Sequence, residues 1–300
     1  MPEIPATETL EARVQSANQL LAMPRVLSEV TALLDDEDAT SARIATSLGR
    51  DPGLVALVLR IANSPAYAQA RTVDSVERAI TLLGRETLRR LVVTGAITRA
   101  TSRIPDQERL PLEVFWRHSA YCAVIARQLA DRVLPRQAGS VFLAGLLHDL
   151  GKLLLFTQSP EAAHRAFLSS LDVGDALTPQ AAEREQLGFD HAELGGALAG
   201  HWGLPEILVA CVAGHHNPSA APDEYRMAVM LVHLANTGAH LAEIDSRDWD
   251  DAPPVDPAAW EVLGLAPEAL LEAIEQAQHE VVDVEALCAP DEHPGRSGRH

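Results

Sequence analysis

A chain of 300 residues, 47% hydrophobic and 22% charged, has the apolar content of a packed protein and cannot be largely disordered. Its 42 acidic residues against 24 Lys and Arg leave a net charge of -18, the wrong sign for a protein that grips nucleic-acid phosphates through clustered cations. Three cysteines, Cys122, Cys211 and Cys288, stand far apart with no CxxC, which excludes a disulfide framework and a thiolate zinc site.

The opening run MPEIPATETLEARVQ is polar and acidic. It lacks a basic region followed by an apolar core, so no secretory signal is expected. Residues 25–34 follow Pro24, which suits a first helical turn, and 40–48 form a second helix beyond an acidic turn. Asp51-Pro52 is an N-cap and N1 pair; it opens a helix through Leu54, Leu57, Val58 and Ile61 that ends at Asn63-Ser64-Pro65. Residues 75–83 and 86–99 read as two helices parted by Gly84, a C-cap candidate, and 104–111 as a linker. Leu112–Val133 is a long helix carrying His118. Residues 139–156 are apolar nearly all round and predict one central buried helix. Helices follow at 160–171, at Pro179–Leu187, from an Asp190 cap to Trp202, and at 204–213, 226–244, Pro257–Leu263 and Pro267–Cys288, before a polar tail from about Pro290. With no strand alternation, the chain reads as all-α, in two lobes meeting near residues 105–112. The longest apolar stretch, 141–157, carries His148, Asp149 and Lys152 at its centre, and no segment offers about 20 clean apolar residues. No membrane insertion and a cytoplasmic location are therefore expected.

Charge and histidine are unevenly spread. The last 60 residues hold 15 acids and 3 bases, a solvated acidic face. No histidine precedes position 118, and nine fall between His118 and His240. The only lysine of the chain is Lys152, four residues after His148. Burying His148, Asp149 and Lys152 within five residues is costly unless they pair with one another or bind a cation. Adjacent side chains on a helix diverge by about 100°, so His148 and Asp149 could bracket one site only from a helix running beside it. Further ligand candidates recur on other helices: His118, His191, His215-His216, and His233 with Asn236 three residues on. Imidazole with carboxylate suits Fe, Mn or Zn, and a bridged pair of such ions could clamp a phosphate.

His148-Asp149 with Gly151-Lys152, upstream His118, and downstream His191 and His215-His216 resemble the HD superfamily of metal-dependent phosphohydrolases. Several spaced motifs narrow this to the HDOD (HD-related output domain) pattern: Leu21-Ala22-Met23-Pro24-Arg25-Val26, Asp51-Pro52-Gly53-Leu54, Leu59-Arg60-Ile61-Ala62-Asn63-Ser64, Ala79-Ile80-Thr81-Leu82-Leu83-Gly84, Phe189-Asp190-His191-Ala192-Glu193-Leu194-Gly195 and Trp202-Gly203-Leu204-Pro205. The resemblance covers roughly residues 14–240. It implies a multi-helix HD-like bundle: a helical N-terminal lobe over residues 1–110, a histidine-bearing lobe over 111–245, and an acidic C-terminal helix and tail over 246–300. It also implies a bacterial signalling module. By the same resemblance, His118, His148 and Asp149 serve one ion, Asp149 bridges to a second held by His191, His215 and His216, and Lys152 approaches a substrate phosphate. The last ligand of that scheme is an aspartate, and the matching position here is Asn236.

A neutral amide in place of a carboxylate leaves more positive charge uncompensated, so the first ion position is expected to weaken. His233, one turn earlier, is the candidate substitute. The segment Asn217-Pro218-Ser219-Ala220 lacks the Gly-Tyr-Pro signature of relatives that hydrolyse cyclic di-GMP. The resulting expectation is a signalling module that works through partner proteins or a nucleotide ligand, with a degenerate, partly occupied metal site and little catalysis. The alternative is a metal-dependent phosphohydrolase or phosphodiesterase acting on a nucleotide or cyclic nucleotide. Trp116, Trp202, Trp249 and Trp260 are expected to pack; Asn63-Ser64-Pro65 with Tyr67 to form a helix stop; and the arginines at 85, 89, 90, 99 and 103 to line a solvated face.

Overall fold

The computed structural model describes residues 9–20, 25–64, 67, 72–101, 110–170 and 178–288. The Leu21–Pro24 part of the first motif, Pro65, Arg103, most of the 104–111 linker and the tail from Pro290 lie outside them. The described residues are helical without a strand ladder, in the order α1 Leu10–Leu20, α2 Arg25–Asp35, α3 Ser41–Leu48, α4 Pro52–Ala62, α5 Val76–Thr101, α6 Leu112–Val133, α7 Ala138–Leu147, α8 Leu150–Gln158, α9 Pro160–Ser170, α10 Pro179–Leu187, α11 His191–His201, α12 Glu206–Gly214, α13 Arg226–Glu243, α14 Pro257–Leu263 and α15 Pro267–Cys288.

Most boundaries follow local chemistry. Thr40 and Thr178 cap α3 and α10 through their side-chain oxygens, and Asp256 caps α14 ahead of Pro257, so orphan N–H groups of each first turn are satisfied. Inside α5, Gly84 sits at φ 77° and ψ 163°, a region open essentially to glycine, and bends the chain where two helices were expected. The stretch 139–156 departs from expectation. It is two helices, α7 and α8, broken at His148-Asp149, where Asp149 adopts φ -94° and ψ 7°. A sequence apolar on every face carries no periodic mark of such a break. Helix α1 has little amphipathic signal and was not expected; Arg13 anchors it, fully buried, with Nη1 donating to Ser159 Oγ at 2.8 Å and its guanidinium over the Phe189 ring.

Helix α6 is the central strut. It packs against α7, α13 and α15, with Ile125 and Leu129 fully buried, each contributing about 1.5–3 kcal/mol by burial. Its alanines at 120, 123, 126 and 130 let neighbours approach: a Cβ on Gly145 of α7 would lie 2.9 Å from the Ala123 backbone. One connected apolar core runs from Val14 to Val284. The segment Pro135–Gln158 is apolar and long enough to cross a membrane, but 83% of its most apolar 18-residue window is buried inside the protein.

The arginine face expected to be solvated turns inward. Arg85 donates to the Asp36 and Ala39 carbonyls, Arg90 lies over the Phe142 ring, and Arg99 forks onto Asp51 at 2.8 and 2.6 Å. Asn63 stops α4 as expected and also clamps the loop beyond it, exchanging hydrogen bonds with Val73 O and N at 2.8 Å. Trp116 and Trp202 are buried, and Trp249 meets Trp260 edge to face.

Asp51 both caps α4, accepting from Gly53 and Leu54 N–H, and receives Arg99. The Arg99 hydrogen bond holds its carboxyl below the ordinary 3.8 despite partial burial. A depressed carboxylate stabilises the fold above its ordinary pKa, and that contribution fades as pH falls through the folded value. Asp51→Ala should therefore cost about 1–2 kcal/mol at neutral pH. Denaturant titrations should show this gap closing as pH drops below 3.8; a gap independent of pH would contradict the ionic contribution.

Candidate metal centre

Four helix ends, at three junctions, and one strut bring the histidines together. His148 closes α7 and Asp149 precedes α8. Because the helix breaks between them, the two side chains converge instead of diverging: His148 Nε2 lies 3.4 Å from Asp149 Oδ2. His191 is the first residue of α11, held by a reciprocal capping box in which Asp190 accepts from Glu193 N–H and Glu193 accepts from Asp190 N–H. His215 and His216 follow α12, and His118 projects from α6. Gly151 sets the distance between α8 and α11. A Cβ there would overlap the His191 carbonyl oxygen and lie 2.8 Å from Gly195 N.

The rings share one orientation. Nδ1–H of His148 donates to Gly145 O at 2.8 Å, Nδ1–H of His215 to Val212 O at 2.8 Å, and Nδ1–H of His191 to Glu183 Oε2 at 2.6 Å. Each Nε2 is thereby aimed inward: His191 and His215 lie 3.4 and 3.7 Å from Asp149 Oδ1, and His118 lies 3.7 Å from Asp149 Oδ2. His216 Nε2 approaches His191 Nε2 at 2.9 Å. Lys152 Nζ donates to Asp149 Oδ2 at 2.7 Å. Asp149, His148, His191 and His215 are buried, whereas His216 and Lys152 are half-buried and form the rim.

Burial sets the charge states. It pushes His148 down to about 4, and pushes His215 and His216 down as well, so these rings are neutral and present lone pairs. Burial opposes a charge on His191 too, but the Glu183 carboxylate raises it to about 9. Burial likewise opposes ionisation of Asp149, yet the neighbouring His148, the Lys152 ammonium and the His191 ring hold its carboxyl well below the usual range.

The structure thus collects His118, His148, Asp149, His191, His215 and His216 around one carboxylate, with Lys152 on it and the Asn236 amide oxygen 3.0 Å from His118 Nε2. His233 does not join them. Its Nδ1–H donates to His215 O at 2.7 Å and its Nε2 accepts from Asp256 N–H at 3.0 Å, so both ring atoms are spent on backbone and it cannot substitute as a ligand. Three participants had not been foreseen. Glu183 orients His191 from α10. Glu243 Oε2 lies 3.0 Å from His118 Nδ1, and the His240 ring lies 4.7 Å from that of His118, with burial holding His240 down to about 3. Asn236, His240 and Glu243 follow i, i+4, i+7 spacing, a one-face signal present in the sequence. Glu183 left no such signal.

The cage fits a metal ion by its own chemistry. Among the described residues, Asp149 Oδ1, His148 Nε2 and His215 Nε2 are buried without a hydrogen-bond partner, a cost that bound cations would relieve. Ligand atoms of Asp149, His191, His215 and His216 lie within 4.8 Å of one another, as do those of His118, His148 and Asp149. Outward-bonded Nδ1 atoms are the usual orientation device of metal-bound imidazoles.

Comparison with known proteins identifies the family and the fold. The HDOD domain model matches residues 20–218. The chain belongs to the HDOD domain family. An HDOD domain protein of unknown function from Geobacter sulfurreducens superposes with a TM-score of 0.69 at 26% identity, over 93% of this chain and 98% of the other. A protein of Shewanella amazonensis SB2B, provisionally described as a phosphohydrolase, superposes with a TM-score of 0.72 at 26% identity, over 95% and 100%. An uncharacterized protein of Treponema pallidum (strain Nichols) is 24% identical over 233 residues, which are 77% of this chain and 44% of that protein. The chain therefore spans less than half the length of this curated relative. The HDOD fold is all-α here as in its structural neighbours.

Proposed function

We propose that this HDOD domain is a cytoplasmic signal-transduction module that acts through protein partners and holds a divalent transition-metal ion, Fe, Mn or Zn, in the buried cage. The observation that carries the reading is the convergence of three pinned imidazole Nε2 atoms and the His118 ring on the Asp149 carboxylate. His191, His215, His216 and Asp149 would hold the ion; when bound, it supplies a positive centre able to attract an anionic oxygen such as a nucleotide phosphate. Two features weigh against rapid turnover. Asn236 puts an amide where the resemblance expects a carboxylate, and Lys152 is engaged with Asp149 Oδ2 at 2.7 Å. In this reading the metal organises a ligand or a partner-binding face.

The second reading, a phosphohydrolase or phosphodiesterase, is favoured by the complete second ligand set and by Lys152 and His216 sharing the half-buried rim. Metal analysis of the purified full chain, paired with assays on bis(p-nitrophenyl) phosphate and cyclic dinucleotides with added Mn or Fe, separates the two. The expected result is retained metal with no turnover above that of Asp149→Asn. Turnover that disappears in Asp149→Asn would overturn the regulatory reading.

A further inference from the structure

The loss of a carboxylate at Asn236 is answered further along the same helix. Asn236 Oδ1 stands 3.0 Å from His118 Nε2, the ring atom that also lies 3.7 Å from Asp149 Oδ2. On its opposite edge, His118 Nδ1 faces Glu243 Oε2 at 3.0 Å. At that spacing a nitrogen and a carboxylate oxygen are bridged either by an N–H proton, in an ordinary hydrogen bond, or by a metal ion. A shared proton accounts for one of the two Glu243 oxygens. The other, Oε1, is buried with no hydrogen-bond partner among the described residues, and His240 lies one turn before Glu243 against the same ring. Ligand atoms of His118, His240 and Glu243 all lie within 4.8 Å of one another, and His240 and Glu243 share a helix face at i, i+3.

We infer that His118, His240 and Glu243 form a divalent-cation site on the far side of His118 from Asp149, replacing the position weakened at Asn236. Two imidazoles with one carboxylate select a first-row transition ion over Mg or Ca. Three protein ligands leave coordination positions open, as in sites that exchange a water or a ligand. Asp149 then serves only the ion held with His191, His215 and His216. The inference deepens the metal-binding reading and fails separately from it.

The test titrates Zn(II), and in parallel Mn(II), into the EDTA-stripped full chain, with bound metal counted by mass spectrometry and affinity read by calorimetry. Glu243→Gln keeps the shape and removes the charge. It should lose one class of bound ion, or weaken that class about 10–100-fold, while the other class stays as in wild type. His240→Gln should behave alike, and it decides the matter if Glu243→Gln fails to fold by circular dichroism. Asp149→Asn should remove the other class. Both α13 variants binding metal as wild type does would mean that a proton alone joins His118 to Glu243, and the inference falls with the cage reading intact. Loss of the Glu243 class alongside an unchanged Asp149→Asn would instead sink the cage reading and keep this site.

Discussion

Asp149→Ala should lower the melting temperature of metal-stripped protein by about 6–12 °C, the equivalent of about 3 kcal/mol. Asp149 is the only carboxylate inside the cage among the described residues and is 3% exposed. It takes Lys152 Nζ at 2.7 Å and has His191 Nε2 at 3.4 Å. Its removal leaves the ammonium without its counter-charge in a largely buried site and leaves His191 with Glu183 alone. Breaking a buried pair in this way costs about 3–5 kcal/mol, and Lys152, 25% exposed at its side chain, recovers part by turning to solvent. In metal-loaded protein the loss should be greater, because stabilisation by a bound ion, about 2.7 kcal/mol at a hundredfold excess over Kd, vanishes as well. Scanning fluorimetry with and without chelator reads both effects. A variant melting like wild type in both conditions would contradict the central role of this carboxylate.

Gly151→Ala should be damaging for a different reason. The new methyl group meets only backbone of α11, the His191 carbonyl and Gly195 N, so no side chain can swing away, and α8 and α11 must part. Overpacking of this kind costs about 1–3 kcal/mol. It also carries His191, the first residue of α11, away from Asp149. Metal binding at the Asp149–His191–His215–His216 group should weaken while the His118–His240–Glu243 group, carried on α6 and α13, keeps its affinity. Equal loss at both groups would mean that the helix contact acts only on global stability.

Helix identity was readable wherever a cap or a proline punctuates the chain, as at Thr40, Asp51-Pro52, Asp190 and Asp256-Pro257, because those signals act within a few residues. The break at His148-Asp149 was not, since both sides of it are uniformly apolar and only tertiary packing distinguishes them. The gathering of His118, His148, His191, His215 and His216 was implied by the family resemblance. Where each nitrogen points was not. His233 and His240 lie two turns apart on α13 on either side of Asn236, and choosing between them requires knowing that α14 presents Asp256 N–H to the first while α6 presents His118 to the second. Glu183 reaches His191 only because the left-handed turn at Gly188 folds α10 back beside α11.

The chain passes from helix to helix at the cage itself: α7 finishes at His148, α8 starts after Asp149, α11 starts at His191 and α12 finishes at His215. Each start carries about half a unit of positive charge in its backbone dipoles and each finish about half a unit of negative charge. Two of each at one place offset, so the peptide scaffold imposes little net field on the interior. An ion held there would be selected mainly by side chains, so substitutions along α13 would redirect its preference without rebuilding the surrounding bundle.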